Sequence, residues 1–156
     1  MAGTAIAAIK IALVAEAKAQ KFYTQAAGKT AHPQAKEMFK QLADFEQGHY
    51  NRLKELIASL AKKKQYIDYE GKDFNFRIKS EVSGPIEENK EDALDILIRA
   101  IGAERDAQKH YTQLAQKTKD PAGKKMFERL AYEESLHYRL LSDEFYFLNN
   151  KSRWGD

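Results

Sequence analysis

The feature that most limits how this chain can fold is that it repeats itself. The stretch EAKAQKFYTQAAGKTAHPQAKEMFKQLADFEQGHYNRL, beginning at Glu16, aligns without a gap on ERDAQKHYTQLAQKTKDPAGKKMFERLAYEESLHYRLL, beginning at Glu104. The offset is 88 residues, and 20 of the 38 aligned positions are identical. The likeness continues upstream in apolar character, with Ile6 matching Leu94, Ile9 matching Leu97 and Leu13 matching Ile101. A period this long excludes a short-repeat solenoid. It describes one supersecondary unit used twice.

Each copy carries the same punctuation. Apolar residues recur at three and four, as on one helical face, and then comes a polar turn and a proline that opens the next helix. Asp120-Pro121 is a strong start signal, an N-cap acid followed by proline at the first helical position. His32-Pro33 is its weaker counterpart. All three prolines (Pro33, Pro85, Pro121) fall outside the helix interiors. The spacing predicts helices over about 4–28, 33–63, 90–118 and 121–149, with Asn89 and Asp92 as a capping pair for the third.

Tyr66 to Lys90 shows no clean period of either kind. A helix of about 30 residues spans roughly 45 Å, which a mostly extended link of about 25 residues can cover. Helices 2 and 3 can then run parallel. The expected architecture is all-α, a four-helix bundle of two repeated hairpins joined by one long crossover. A length of 156 residues predicts a single domain. Hairpin 1 takes about 4–63, the crossover about 64–89 and hairpin 2 about 90–149.

Composition narrows the chemistry. With no cysteine there is no disulfide, thiolate metal site, iron–sulfur cluster or cysteine nucleophile, so any metal must be held by Glu, Asp or His. A net charge of +3 is too small to argue for nucleic acid. Lys62-Lys63-Lys64 reads as the solvated end of a helix, with no basic stripe and interleaved aromatics beside it. The N-terminal MAGTAIAAIKIALVAEAKAQ lacks a basic segment before its apolar run, and Lys10 breaks that run. It predicts neither a signal peptide nor a membrane span, and the expected location is cytoplasmic.

Four acids and two histidines survive in the repeat, Glu16 with Glu104, Glu46 with Glu134, and His49 with His137. In LADFEQGHYNRL, Glu46 and His49 sit on or beside an apolar stripe that should be dry. Their depths follow from arithmetic. Glu16 lies 15 residues before the turn near residue 31 and Glu46 lies 15 after it. At about 1.5 Å per residue both carboxylates sit roughly 22 Å from that turn. Glu104 and Glu134 straddle residue 119 in the same way. Residues i and i+3 share a helical face, so each Glu-x-x-His points both groups inward, while Glu16 and Glu104 continue the inward apolar stripes.

Buried together, four carboxylates cannot all stay ionised without strong positive charge among them. Two divalent cations would match them, and two neutral imidazoles would complete the shell. A lone Glu-x-x-His on a charged helix usually means solvated surface. Two copies in register, each with an inward Glu at matching depth, are hard to explain that way. Glu133 offers a rival register, but the repeat selects Glu134.

The doubled pattern E-x(29)-E-x-x-H resembles the ferritin-like di-iron carboxylate proteins. The signatures Glu16, Ala19, Tyr23 and Glu104, Ala107, Tyr111, each reading E-x-x-A-x-x-x-Y, resemble those of rubrerythrins, and the likeness covers nearly the whole chain. The resemblance implies a non-haem site of two iron ions that reacts with hydrogen peroxide or dioxygen. It implies bridging roles for Glu46 and Glu134, terminal roles for Glu16 and Glu104, and one metal capped by each of His49 and His137. There are two departures. A typical rubrerythrin has an extra glutamate three residues after the helix 3 ligand, where this chain has Ala107, which makes the site more symmetric. The rubredoxin-like tail with its four cysteines is also missing, so electrons would come from an external donor such as a rubredoxin-like protein.

The expected activity is therefore an oxidoreductase that reduces peroxide or dioxygen. Three alternatives stand beside it: a ferroxidase for iron handling, manganese catalase-like chemistry, and a bundle whose metal is structural only. The resemblance also implies a homodimer, with hairpin exchange across the crossover as a variant. No membrane or nucleic-acid partner is expected.

Around the cluster, Tyr23 and Tyr111 lie two turns beyond the helix 1 and helix 3 glutamates, as hydroxyls near the metals or as core tyrosines. Glu133 could accept the second N–H of a histidine across the bundle. Its repeat counterpart is Phe45, so the two metals would differ in basicity; the alternative is an exposed Glu133. His32 and His110 have no histidine match and read as turn or surface residues. Met38 and Met126 read as core. Gly48, matched by Leu136, is either an opening beside the ligands or a neutral solvent-facing glycine.

Overall fold

The computed structural model describes residues 2–74 and 90–150. They form α1 (Ala2–Lys29), α2 (Pro33–Lys63), α3 (Lys90–Lys117) and α4 (Pro121–Asn150). The helix ends follow from local chemistry. Pro33 and Pro121 stand at first helical positions, where the N–H they lack has no partner to lose. Asp120 Oδ1 accepts from the Gly123 N–H at 3.0 Å. His32 does the same for α2, its Nδ1 accepting from the Ala35 N–H at 3.2 Å. His32 is thus a turn residue, but a buried one rather than a surface one. α2 ends at Lys64, whose left-handed backbone (φ 55) turns its N–H onto the Leu60 carbonyl. The predicted Asn89–Asp92 cap lies partly outside the described residues.

The repeat is legible in the ties between helices. Lys36 Nζ donates to the Ala27 carbonyl at 2.8 Å, closing the end of α1, and Lys124 Nζ donates to the Ala115 carbonyl at 3.1 Å, closing the end of α3. These are the same positions 88 residues apart. α1 packs along α2 and α3 along α4 as antiparallel hairpins, and the hairpins meet through an α1–α3 contact.

Apolar residues collect at the two ends of the bundle. One cluster joins Tyr23, Met38, Phe39 and Leu42 to Leu97, Leu141 and Leu148. The other joins Ile9, Leu53, Leu56 and Leu60 to Tyr111, Met126, Phe127 and Leu130. The first halves of α2 and α3 share one end, so these helices run parallel, as a long crossover requires. Burial of both clusters drives the assembly. Between them lies a polar layer. Gly48 faces outward, and a side chain there would meet open space, so it makes no opening beside the ligands.

The described start of the crossover climbs along α4 on the α2 side. Tyr66 packs edge-on to Phe127, Tyr69 reaches His49 and Glu133, and Phe74 reaches Phe45 and His137. Two glycines make the fit. A Cβ on Gly123 would come within 2.5 Å of the Tyr66 ring. Gly71 holds φ +88, and a Cβ there would strike the Arg129 and Glu133 side chains. Glycine alone adopts that backbone without strain and leaves that space.

Candidate metal centre

The polar layer consists of Glu16 from α1, Glu46 and His49 from α2, Glu104 from α3, and Glu134 and His137 from α4. Each is at most 2% exposed. They form two overlapping groups. Glu16, Glu46, His49 and Glu134 place one ligand atom each within 4.8 Å of one another, as do Glu46, Glu104, Glu134 and His137. Glu46 and Glu134 belong to both groups, while one Glu and one His belong to each alone.

Both histidines turn Nδ1 inward. His49 Nδ1 lies 3.0 Å from Glu16, 3.5 Å from Glu46 and 3.4 Å from Glu134. His137 Nδ1 lies 3.3 Å from Glu134, 3.4 Å from Glu46 and 3.5 Å from Glu104. The tyrosines cross between hairpins. The Tyr23 hydroxyl donates to Glu104 at 2.6 Å and the Tyr111 hydroxyl donates to Glu16 at 2.5 Å. Each terminal carboxylate is therefore held by the tyrosine of the opposite hairpin.

The outer nitrogens differ. His49 Nε2 lies 2.7 Å from Glu133 Oε1. Glu133 is fully buried and also accepts from the Tyr69 hydroxyl, the Lys72 N–H at 2.9 Å and Arg129 Nε at 2.7 Å. His137 Nε2 has no hydrogen-bond partner among the described residues. Its ring sits against Phe45 and Phe74, at 4.7 and 4.9 Å between centroids. His110, in contrast, is remote from this layer and bonds the Ala8 carbonyl.

Without cations the layer is electrostatically frustrated. Burial, then Glu104, Glu134 and Glu16, hold Glu46 well above the usual carboxylate range. Burial and then the charge of Glu134 push Glu104 up to about 7. Burial and Glu134 also raise Glu16. Glu134 moves the other way, because the neighbouring His137 and His49 imidazoles outweigh its burial and hold it low. Burial would lower His49, but Glu16 and Glu133 outweigh it and raise the ring well above the usual imidazole range. Glu16 Oε1, Glu46 Oε1, Glu104 Oε2 and both Glu134 oxygens have no hydrogen-bond partner among the described residues. Buried acceptors left without donors, all aimed at one another, fit cations rather than a packed core. Carboxylate and imidazole together suit divalent metals such as iron, manganese or zinc.

A pocket of about 540 Å³ opens between α1 and α3 and reaches Glu16, Glu46, Glu104 and Glu134. Its walls include Ala15 with Ala103 and Ala19 with Ala107, each pair matched in the repeat. Ala107, the position without the extra carboxylate, is part of this wall.

The sequence did not point to Tyr69, Lys72, Arg129 or Phe74. The first, second and fourth lie in the stretch without a period, and Arg129 looks like any helix-surface cation. Only the i, i+4 spacing from Arg129 to Glu133 was a signal.

A bundle of two antiparallel hairpins with a buried carboxylate–imidazole layer defines a ferritin-like protein of the di-metal carboxylate type. The chain belongs to the rubrerythrin family, whose model matches residues 5–89 and 95–153. It is similar in structure to a hypothetical protein from Pyrococcus furiosus. There the TM-score is 0.76 and the sequence identity 25%, over 97% of this chain and 92% of that one. No curated protein matches the chain. Among the described residues no helix is long and apolar enough to cross a membrane.

Proposed function

We propose that this chain is a di-iron oxidoreductase that reduces hydrogen peroxide. The observation that carries the reading is the pair of four-residue groups sharing Glu46 and Glu134. Glu46 and Glu134, common to both groups, would be shared by the two ions, with Glu16 and His49 completing one ligand set and Glu104 and His137 the other. When bound, two ferrous ions supply the two electrons that convert peroxide and two protons to two waters, and act as Lewis acids toward the leaving oxygen. An external electron donor restores the ferrous state.

The protein's own residues prepare this chemistry. The tyrosine hydroxyls keep their protons, because burial and the adjacent carboxylates raise Tyr23 and Tyr111 well above the ordinary range. As fixed donors they select which oxygen of Glu104 and Glu16 stays free to face the metals. The α1–α3 pocket supports entry of a small neutral oxidant. Its apolar walls strengthen the electrostatic interactions at its floor.

The test is anaerobic reconstitution with ferrous iron followed by rapid mixing with peroxide or with air-saturated buffer. The expected result is faster oxidation by peroxide, ending in water. Equal or faster oxidation by dioxygen, with ferric mineral as product, would replace this reading with iron handling.

A further inference from the structure

We infer that Glu133 makes the metal position capped by His49 the tighter of the two, so that the centre fills in a set order. The inference rests on the two-metal reading above. It concerns the second nitrogen of each histidine, which that reading leaves equivalent.

At the first position the outer nitrogen of His49 faces a carboxylate at 2.7 Å. That carboxylate is not a loose neighbour. The Tyr69 hydroxyl, the Lys72 N–H and Arg129 Nε anchor its two oxygens. It is fully buried, so no solvent competes for it. A carboxylate accepting the N–H of a ligating imidazole fixes the ring's tautomer and orientation and increases its donor strength. At the second position the His137 ring packs edge-on against Phe45 and Phe74. Its outer nitrogen has no acceptor among the described residues. Among the described residues nothing gives that imidazole such a push.

The origin of the difference is one substitution in the repeat. Phe45 and Glu133 occupy the same repeat position, 88 residues apart. Each faces the histidine of the opposite hairpin, Phe45 against His137 and Glu133 against His49. The described start of the crossover lies against α4 on the α2 side and completes both environments. It gives Tyr69 and the Lys72 N–H to Glu133, and Phe74 to the ring pocket of His137. A buried carboxylate is tolerable on the side where those donors arrive, and a phenyl ring suits the side where they do not.

The test is stepwise titration of the metal-free full chain with cobalt(II), followed by visible absorption and by competition with a chelator of known affinity. Two equivalents are expected to bind, the first about 10- to 100-fold tighter than the second, the range that outer carboxylates contribute. His49→Ala should remove the tight step and leave a weak one, and His137→Ala should do the reverse. Glu133→Gln should draw the two constants together without changing the stoichiometry. Tyr69→Phe, which removes a donor to Glu133 and keeps the ring beside His49, should do so by a smaller factor. Circular dichroism melting of each metal-free variant separates lost affinity from lost folding. A Glu133→Gln protein that folds and keeps the wild-type ratio overturns the inference, as does a tight step that survives His49→Ala. Two equivalents of equal affinity in the unaltered chain also overturn it while leaving the two-metal reading standing. Failure to bind two equivalents at all sinks that reading instead.

Discussion

The two sides of the polar layer are built on opposite plans. Between α1 and α3 the walls obey the internal twofold: Ala15 and Ala103, Ala19 and Ala107, Tyr23 and Tyr111 face each other as repeat partners around an open pocket. Between α2 and α4 that symmetry fails. Phe45 stands opposite Glu133, and a single strand of crossover fills the groove with Tyr69, Lys72 and Phe74. A duplicated hairpin makes two equal sets of acids and histidine, but a bundle of two hairpins has only one crossover. Whatever that segment covers must adapt to it, and the repeats have diverged there: Ala35 became or came from Gly123, and Phe45 or Glu133 replaced the other. Among the described residues the α1–α3 side meets no such segment.

The sharpest challenge to this comparison is aimed at what the two sides share. Glu134→Ala removes a carboxylate common to both groups. Metal analysis should find two-metal binding abolished and peroxide turnover lost with it. Two metals per chain in that variant would show that the shared carboxylates are not the centre of the arrangement.

Next in size is the effect of closing the open side. Ala19→Phe and Ala107→Phe should each slow oxidation of the ferrous protein by peroxide at least about tenfold, equivalent to about 1.4 kcal/mol in barrier. Metal content should not change. Unaltered rates in both variants, measured by rapid mixing, would move the entry route to another face.

On the closed side the expected effect is on stability. Phe74→Ala removes a ring that packs on Phe45 and His137. It should cost about 2 kcal/mol in denaturant unfolding. A cost near zero would mean that the crossover lies on the bundle without sealing it.

The pH dependence of the metal-free chain reports on the shared layer. Glu104 is raised from 4.5 to about 7, and Glu46, Glu16, His49 and His137 are raised as well. A group raised on folding stabilises the native state below its unfolded value, and that contribution disappears as pH rises through the folded value. The melting temperature of the metal-free chain should therefore fall between pH 4.5 and about 7. Glu134, held low, acts in the opposite sense at more acid pH. Bound divalent metal supplies the missing positive charge, so the loaded protein should lose this slope. The same slope in both forms would mean the carboxylates are not the groups compensated.

The smallest effect tests the symmetry of the open side. Tyr23→Phe and Tyr111→Phe each remove one buried hydrogen bond to a terminal carboxylate. Each should cost about 1 kcal/mol, and the two costs should agree more closely than any pair of changes made between α2 and α4.

The helices were legible because their signals are local. The Asp120-Pro121 start needs only neighbouring residues, and the structure opens α4 there. The six positions of the polar layer were legible for a different reason. Duplication compares the chain with itself, so Glu16, Glu46 and His49 stood out against Glu104, Glu134 and His137 without any partner sequence. Helical rise then set them at one depth. Of the two readings of His32, turn or surface, the structure takes the turn and buries it, because a missing repeat partner says nothing about burial. Its ring caps α2 inside the turn. Tyr69 and Phe74 were hidden because an extended segment without a period carries no information about which face of a distant helix it will touch.

By itself, the sequence determined the four helices, their pairing into two hairpins and the level at which acids and histidines converge, because all of these follow from spacing along a regular helix and from one repeat. Only the tertiary structure decided that Glu133 serves His49 and that Phe45 faces His137. It also decided that, among the described residues, one side of the layer is open and the other covered. Those outcomes depend on where a single non-repeating crossover lies against two equivalent hairpins. A contact between segments far apart in the chain is selected by packing, burial and hydrogen-bond satisfaction, none of which leaves a period to read.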